Sequence, residues 1–198
     1  MKTLKLLSTV AFSVALLGCG GSSDGESSNA DIQGSWASPC ALEDDDSSIR
    51  AEWTFNGNTL TQSRVTYLNS VDCTGNLTLS LNLPGTISVD GTTTELSDGD
   101  AKNIDIVYRS GNITASDLAV GVLESQGTTL DAVFAAQGIA DINNLPFETF
   151  GRVQAELFSI YRVDGDELRI GSTSGGFDGT TPALRSDRLS TSSILTRL

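Results

Sequence analysis

Apolar and polar residues alternate in short runs along most of the chain from Ile32 onward. In the run 77–83 every second residue is a leucine, and threonine, serine and asparagine fill the positions between. A period of two residues is typical of a β-strand with one buried face. Other short runs with apolar residues predict further strands at 52–55, 59–68, 86–89, 92–96, 104–109, 154–163, 167–171 and 192–198.

Turn-forming residues separate the predicted strands. Pro84-Gly85 is expected to end the strand 77–83. Asp90-Gly91 and Asp164-Gly165-Asp166 each lie between two runs and predict two hairpins, because Asp-Gly is a preferred hairpin turn. The stretch 172–188 is rich in Gly, Ser, Thr and Asp, which predicts a long loop.

Residues 114–145 interrupt this pattern. The apolar residues at 118, 120 and 122 alternate as in a strand, whereas the residues at 130, 133, 134 and 137 recur at helical spacing. Gly138 and Pro146 limit how far a helix can run. We therefore predict one short helix near 129–137.

Eight to ten short strands joined mostly by hairpins, with one short helix, predict an all-β fold. The antiparallel strands form either an up-and-down barrel or a sandwich. A last strand at 192–198 favours the barrel, because a terminal strand that closes a barrel leaves no open sheet edge.

The first 18 residues have a different composition. A basic start with Lys2 and Lys5 precedes an apolar run at 6–17, which is too short to span a bilayer and is typical of a secretory signal. Leu16-Leu17-Gly18-Cys19 resembles the lipobox of bacterial lipoproteins. This resemblance implies cleavage after Gly18 and lipidation of Cys19 with acyl chains such as palmitate. The alternative is an ordinary secretory signal with a chance cysteine.

The residues after Cys19 form a linker. The stretch 20–31 contains Gly, Ser and acidic residues without apolar periodicity, so 19–31 is predicted to be a flexible tether and 32–198 one domain. By resemblance to lipoprotein sorting, Gly20 rather than Asp after the lipidated cysteine implies transport to the outer membrane of a Gram-negative bacterium. We therefore predict attachment to the membrane through the lipid on Cys19.

Charge and cysteine content narrow the choice of partners. After cleavage the chain has 10 basic and 25 acidic residues, a net charge of −15, which disfavours nucleic acids and anionic lipid headgroups. With Cys19 lipidated, Cys40 and Cys73 remain, and an even number of cysteines in an exported protein predicts a disulfide. A metal or redox pair is the alternative.

Gly34-Ser35-Trp36 opens the first predicted strand. This Gly-x-Trp resembles the signature of lipocalins and of the wider calycin group of small-molecule-binding barrels. The resemblance implies that Trp36 fills the closed end of a barrel and that Arg197, from the last strand, packs on its ring. The stretch from Gly34 to Cys40, with Cys73 after a tyrosine-containing strand, also resembles bacterial lipocalin-like lipoproteins.

The sequence offers little catalytic chemistry. The absence of histidine excludes Ser-His-Asp and Cys-His catalysis and the commonest metal ligand, and no P-loop or dinucleotide fingerprint is present. Lys102, the only lysine after cleavage, is expected to be solvated in a turn. The carboxylates of Glu43, Asp44, Asp45 and Asp46 are candidate Ca²⁺ ligands, but they lack EF-hand spacing, and we expect no metal site and no cofactor.

Together these features predict a lipid-anchored binding module of the cell envelope that is not an enzyme. Its ligand is expected to be a small apolar or amphipathic molecule. The alternative is a structural or protein-interaction lipoprotein of the outer membrane, which contacts an envelope protein and has no small-molecule ligand.

Overall fold

The computed structural model describes residues 29–44, 46–150, 155–173 and 176–198, and only the backbone of Asp44, Glu148 and Phe150. The predicted signal peptide, the lipidation site Cys19 and Asp45 lie outside the described residues. The described residues contain eleven strands: β1 Gly34–Ala37, β2 Ala41–Asp44, β3 Ser47–Asn56, β4 Thr59–Leu68, β5 Thr78–Ser88, β6 Thr93–Thr94, β7 Ala101–Tyr108, β8 Asn112–Ala115, β9 Glu156–Asp164, β10 Glu167–Gly171 and β11 Leu189–Arg197. The α-helices in the same ranges are α1 Asp117–Ser125 and α2 Leu130–Ala135.

Eight of these strands close into an antiparallel barrel in the order β1-β3-β4-β5-β7-β9-β10-β11. The last strand returns to the first, where Arg197 lies opposite Trp36, and Trp36 lies opposite Trp53 of β3 on its other side. The remaining strands β2, β6 and β8 extend the sheet at its edges. The predicted all-β, up-and-down barrel is therefore confirmed, and it is the architecture that the lipocalin resemblance implies.

Strand β5 does not end at Pro84-Gly85 as predicted but continues to Ser88. Its first half pairs with β8 and its second half with β7, so Pro84-Gly85 marks the change of neighbour. At Gly85 a Cβ atom would lie 2.9 Å from the carbonyl oxygen of Val107, so glycine is needed for the close approach of β7. The predicted strand 86–89 is thus part of β5. β6 pairs with β7 and not with β5, so the hairpin predicted across Asp90-Gly91 does not form.

The predicted short helix near 129–137 is α2, and α1 precedes it where the alternation at 118, 120 and 122 allowed a strand. Each helix has an N-cap, since Ser116 accepts a hydrogen bond from the N–H of Ala119 and Thr129 accepts one from Ala132, both at 3.3 Å. The apolar residues of α1 are nearly continuous, which fits the period of a strand as well as that of a helix. This is why the sequence also allowed a strand here, which is wrong. None of the helices in the described residues is long and apolar enough to cross a membrane.

The two ends of the barrel differ. The end that carries the turn between β3 and β4 is here named the closed end, and a 3-10 turn at Ala30–Ile32 covers it. Above that turn the barrel interior is filled by large side chains with almost no exposed surface. These include Trp36, Phe55, Leu60, Leu83, Ile104, Ile106, Tyr161 and Leu168. The opposite end, where β10 ends and β9 begins, is named the open end.

Candidate functional site

The closed end brings together the three residues of the Gly-x-Trp resemblance. The indole N–H of Trp36 donates to the carbonyl of Ile32 at 2.7 Å, and the side chain is fully buried. The guanidinium carbon of Arg197 lies 4.1 Å from the centre of the Trp36 ring, which is a cation–π contact. Gly34 has a φ of +105°, and a Cβ there would lie 3.3 Å from Arg197 Nη1. The arrangement closes the barrel and leaves no space for a ligand beside Trp36.

A clasp of charged and polar groups holds the 3-10 turn in place. Asp31 accepts hydrogen bonds from Lys102 Nζ at 2.9 Å and from the hydroxyl of Tyr161 at 3.0 Å. Arg197 donates to the carbonyls of Gln33 and Asp31. Burial, and after it the negative charge of Asp31, raise the pKa of Tyr161. Lys102 therefore does not project freely from a turn as predicted but fastens the N-terminal segment to the barrel.

The open end contains a cavity of about 460 Å³, here named the mouth cleft. Its floor is apolar, because Trp53, Leu157 and Ile170 point into it from three strands of the barrel. The amide of Gln62 lies beside them and accepts a hydrogen bond from the hydroxyl of Tyr108 at 3.2 Å. Hydroxyl-bearing residues from β11 and from the segment after β10 complete the described lining, and this set is here named the hydroxyl wall. It consists of Ser172, Thr173, Ser190, Ser192 and Ser193.

A bulge in β11 creates much of the hydroxyl wall. Arg169 of β10 lies opposite Ile194, but Gly171 lies opposite Leu189. An advance of two residues along β10 therefore corresponds to five residues along β11. The extra residues loop out, and the N–H of Ser193 donates to Ser190 Oγ at 3.0 Å. β-Bulges redirect side chains in this way and recur near binding sites.

The short strand β1 leaves a gap between neighbouring strands of the barrel. β1 pairs with β11 over two residues, Trp36 and Ala37, and the chain then leaves for β2. Above Ala37, the strand pairings of the described residues therefore leave the seam between β11 and β3 open. Trp53 on β3 and the serines of β11, the two strands that flank β1, both line the mouth cleft.

The predicted disulfide is confirmed. Cys40 and Cys73 are bonded, with Cα atoms 5.7 Å apart, and they tie the segment after β1 to the loop between β4 and β5. The N–H of Cys73 donates to the buried hydroxyl of Ser48 at 2.9 Å. Together with Val65 and Tyr67, Cys73 forms a small apolar cluster of its own. The bridge thus fastens the sheet extension at the open end rather than the barrel core.

The acidic run at 43–46 does not form a cluster in the described part of the chain. The carboxylate of Glu43 pairs with Arg64 at 2.7 Å, and Asp46 is exposed. The side chains of Asp44 and Asp45 are outside the description. Among the described residues no group of three or more Cys, Asp or Glu side chains is placed to hold a metal ion.

The lipocalin resemblance named Gly34, Trp36 and Arg197 of the closed end, but neither Asp31 and Tyr161 nor the residues of the mouth cleft were named from the sequence. Trp53 was expected only on a strand, and Gln62 and the serines of β11 carried no signal of a site. A weak signal was present, because Ile194 and Leu195 are adjacent apolar residues and break the alternation that a regular strand requires. Such a break next to Ser192-Ser193 is what a bulge produces. The comparisons with protein-family models and with curated proteins find no match to this chain.

Proposed function

We propose that the chain is a lipocalin-like, lipid-anchored binding module of the cell envelope. It holds a small apolar or amphipathic ligand in the mouth cleft and catalyses no reaction. The observation that carries this proposal is the combination of a closed barrel, packed at one end, with a cavity at the other. The cavity volume of about 460 Å³ falls within the roughly 300–1,000 Å³ typical of small-molecule sites.

The position of the N-terminal segment supports access to the cleft. The side-chain amide of Asn29 donates to the carbonyl of Gly57 at 3.0 Å, in the turn at the closed end. A tether that continues from Asn29 to a lipid on Cys19 therefore leaves from the closed end. Such an anchor in the outer membrane holds the closed end near the lipid surface and leaves the mouth cleft in solution.

Ligand binding is tested with a fluorescent apolar probe. The mature chain with Cys19→Ala, which carries no lipid, is titrated with N-phenyl-1-naphthylamine. Ser192→Trp fills the cleft and is expected to abolish the fluorescence increase. Thr191→Trp is the matched control, because Thr191 lines a different surface groove, and this variant is expected to bind like the parent. Absence of probe binding to the parent would contradict the proposal.

The anchor is tested separately. Cys19→Ala in the full-length chain is expected to release the protein from the membrane fraction, because no acyl chain remains to hold it. Sedimentation of this variant with membranes as efficiently as the parent would show that Cys19 is not the anchor. A substitution of the neighbouring Ser22 serves as the control that leaves the lipobox intact.

A second candidate is a protein-interaction role without a small-molecule ligand. Helix α1 exposes Leu118, Val120 and Val122, and Leu118 keeps 55% of its surface exposed. The surrounding sequence from 110 to 151 has five acidic and no basic residues. A partner complementary to this surface is a basic, apolar segment of an envelope protein. A photo-crosslinker at position 118 is expected to capture such a partner, with one at the exposed Gln126 as the control; equal yields would count against this role.

A further inference from the structure

We infer that the mouth cleft selects uncharged amphiphiles, molecules with an apolar body and a hydroxyl, ether, amide or carbonyl head group. The inference rests on the proposed function and adds the ligand class. The apolar body lies on Trp53, Leu157 and Ile170, and the head group faces the hydroxyl wall.

Among the residues that the structure describes, none that lines the cleft has an ionisable side chain. It contains three large apolar side chains, one amide, five hydroxyls and Gly171. An ionised head group would lose hydration on entering and would find no opposite charge, which is unfavourable. A neutral head group finds both donors and acceptors, because each serine or threonine hydroxyl supplies both.

The nearby cations are turned away or already paired. Arg169 precedes Ile170 on β10, lies on the other face of the strand and pairs with Glu167 at 3.1 Å. Arg188 pairs with Asp187 at 2.8 Å in the same outer groove. Neither arginine lines the cleft, so in the described part of the chain a carboxylate or phosphate in the cleft meets no cation.

The bulge gives the wall its density of hydroxyls. In a regular strand consecutive residues point to opposite faces, yet Ser192 and Ser193 both line the cleft. Ser190 joins them from the start of the bulge, and Ser172 and Thr173 come from the segment that follows β10. Polar groups therefore occupy one wall and apolar groups the floor, which favours an amphipathic ligand in one orientation.

The test compares probes that differ in charge alone. N-phenyl-1-naphthylamine is neutral, and 1-anilinonaphthalene-8-sulfonate is its anionic analogue. Competition with 1-decanol, decanoate and decylamine then varies the head group on one chain, at about 0.15 M salt to screen the overall charge of the protein. We expect the neutral probe and decanol to bind at least tenfold more tightly than the charged compounds. Equal competition by decanoate or decylamine overturns the ligand class but leaves the binding module intact, whereas no binding of any compound overturns the proposed function itself.

A charge placed in the cleft provides the second test. Ser192→Arg is expected to raise the affinity for decanoate at least tenfold, because it supplies the missing cation. Thr191→Arg changes the net charge equally from outside the cleft and is expected to have no such effect. An equal gain in both variants would mean that overall charge controls binding, which overturns the inference. If Ser192→Arg does not fold by circular dichroism, Ser193→Arg is measured against the same control.

Discussion

Trp36 and Trp53 lie opposite each other on neighbouring strands and in one apolar core, but Trp36 faces the closed end and Trp53 borders the mouth cleft. Trp36 is fully buried, its N–H bonded to Ile32 and its face covered by Arg197. Trp53 keeps 8% of its surface exposed and faces the mouth cleft. Two paired residues of the same type thus differ in role, because Trp36 seals the closed end and the largely buried Trp53 lines part of the cleft.

The difference lies in what the surrounding polar groups bind. At the closed end, Asp31, Lys102, Tyr161 and Arg197 bind one another or nearby carbonyls. At the open end, Ser190 Oγ accepts a hydrogen bond from the N–H of Ser193 at 3.0 Å and lies 3.5 Å from the hydroxyl of Ser192. Because a serine hydroxyl can both donate and accept, these groups keep bonding capacity for water or a ligand. Hydrogen-bonding groups thus stabilise the fold where their partners lie inside the protein, and they provide binding capacity where part of their bonding capacity remains unused.

The largest expected effect comes from removing the seal. Trp36→Ala should lower the free energy of unfolding by about 3–5 kcal/mol, because it leaves a cavity in a fully packed region. Trp53→Ala should cost less, since the space adjoins a cleft that water enters. Urea denaturation followed by far-ultraviolet circular dichroism measures both. Equal losses in the two variants would mean that the two ends are equally packed, contrary to the comparison.

The disulfide tests the open end. Replacing Cys40 and Cys73 together by Ser should lower the free energy of unfolding by about 3–4 kcal/mol, as expected for opening a loop of 33 residues. The barrel core does not contain this bridge, so binding of N-phenyl-1-naphthylamine under native conditions should persist. Thermal denaturation of the parent with and without reductant provides the control. A double variant as stable as the oxidised parent would contradict this prediction.

Alkaline pH should affect the closed end. The pKa of Tyr161 is raised, so below about pH 10, the ordinary pKa of tyrosine, the phenol is neutral in both states and its contribution to stability is complete. Above about pH 10 the unfolded state loses the proton first, and stability falls as pH rises. Tyr161→Phe should lessen this fall between about pH 8 and about pH 11, as measured by urea denaturation at each pH.

Tyr67 provides the control for the alkaline titration of Tyr161. Tyr67, whose pKa is also raised, mainly by burial, lies away from the closed end between Arg50 and Glu52. Tyr67→Phe is therefore the matched control and should leave the alkaline loss that belongs to Tyr161. An unchanged alkaline profile in Tyr161→Phe would show that the clasp with Asp31 does not affect the titration of Tyr161.

The smallest effect is expected at Ser186. This residue is buried, and its hydroxyl has no hydrogen-bond partner among the described residues. For Ser186→Ala we expect the free energy of unfolding to fall by no more than about 0.5 kcal/mol and to rise by no more than about 1 kcal/mol. The reason is that the substitution removes an unpaired buried polar group. Thermal denaturation detects the change, and a clear loss of stability would indicate a partner for this hydroxyl.

Gly171→Ala is the contrasting variant. A Cβ at Gly171 would lie 2.5 Å from the Cβ of Ser186 and 2.7 Å from Ser159 Oγ. The substitution should therefore destabilise the fold. The double variant Gly171→Ala with Ser186→Gly should recover part of the loss, because it removes one of the two contacts.

The periodic strands were readable from sequence because their alternation follows from burial of one face. The runs 59–68 and 167–171 match β4 and β10, and the hairpin across Asp164-Gly165-Asp166 is present. β5 was cut short because Pro84-Gly85 is an ordinary end signal, whereas here it accommodates a change of partner strand. That choice depends on β7 and β8, which lie far along the chain.

Gly34, Trp36 and Arg197 were identifiable through a resemblance, whereas the mouth cleft left only the weak signal of two adjacent apolar residues, Ile194 and Leu195. The cleft arises from the length of β1 relative to β3 and from a bulge in β11, and both depend on register between distant strands. A run such as Ser190 to Ser193 has the composition of a loop when taken alone. Only the pairing partners turn its hydroxyls into one wall of a cavity.

The meeting of β1 and β11 also determines the order of assembly. Arg197 bonds to the carbonyl of Gln33, 164 residues earlier, so the ring is complete only when nearly the whole chain is present. Contacts of such long sequence separation form slowly, because a large loop must close first. Until then β1 and β10 each present an unpaired strand edge, the feature from which β-sheet proteins aggregate. Pairing of β11 with β1 is therefore the step that removes these exposed edges during folding.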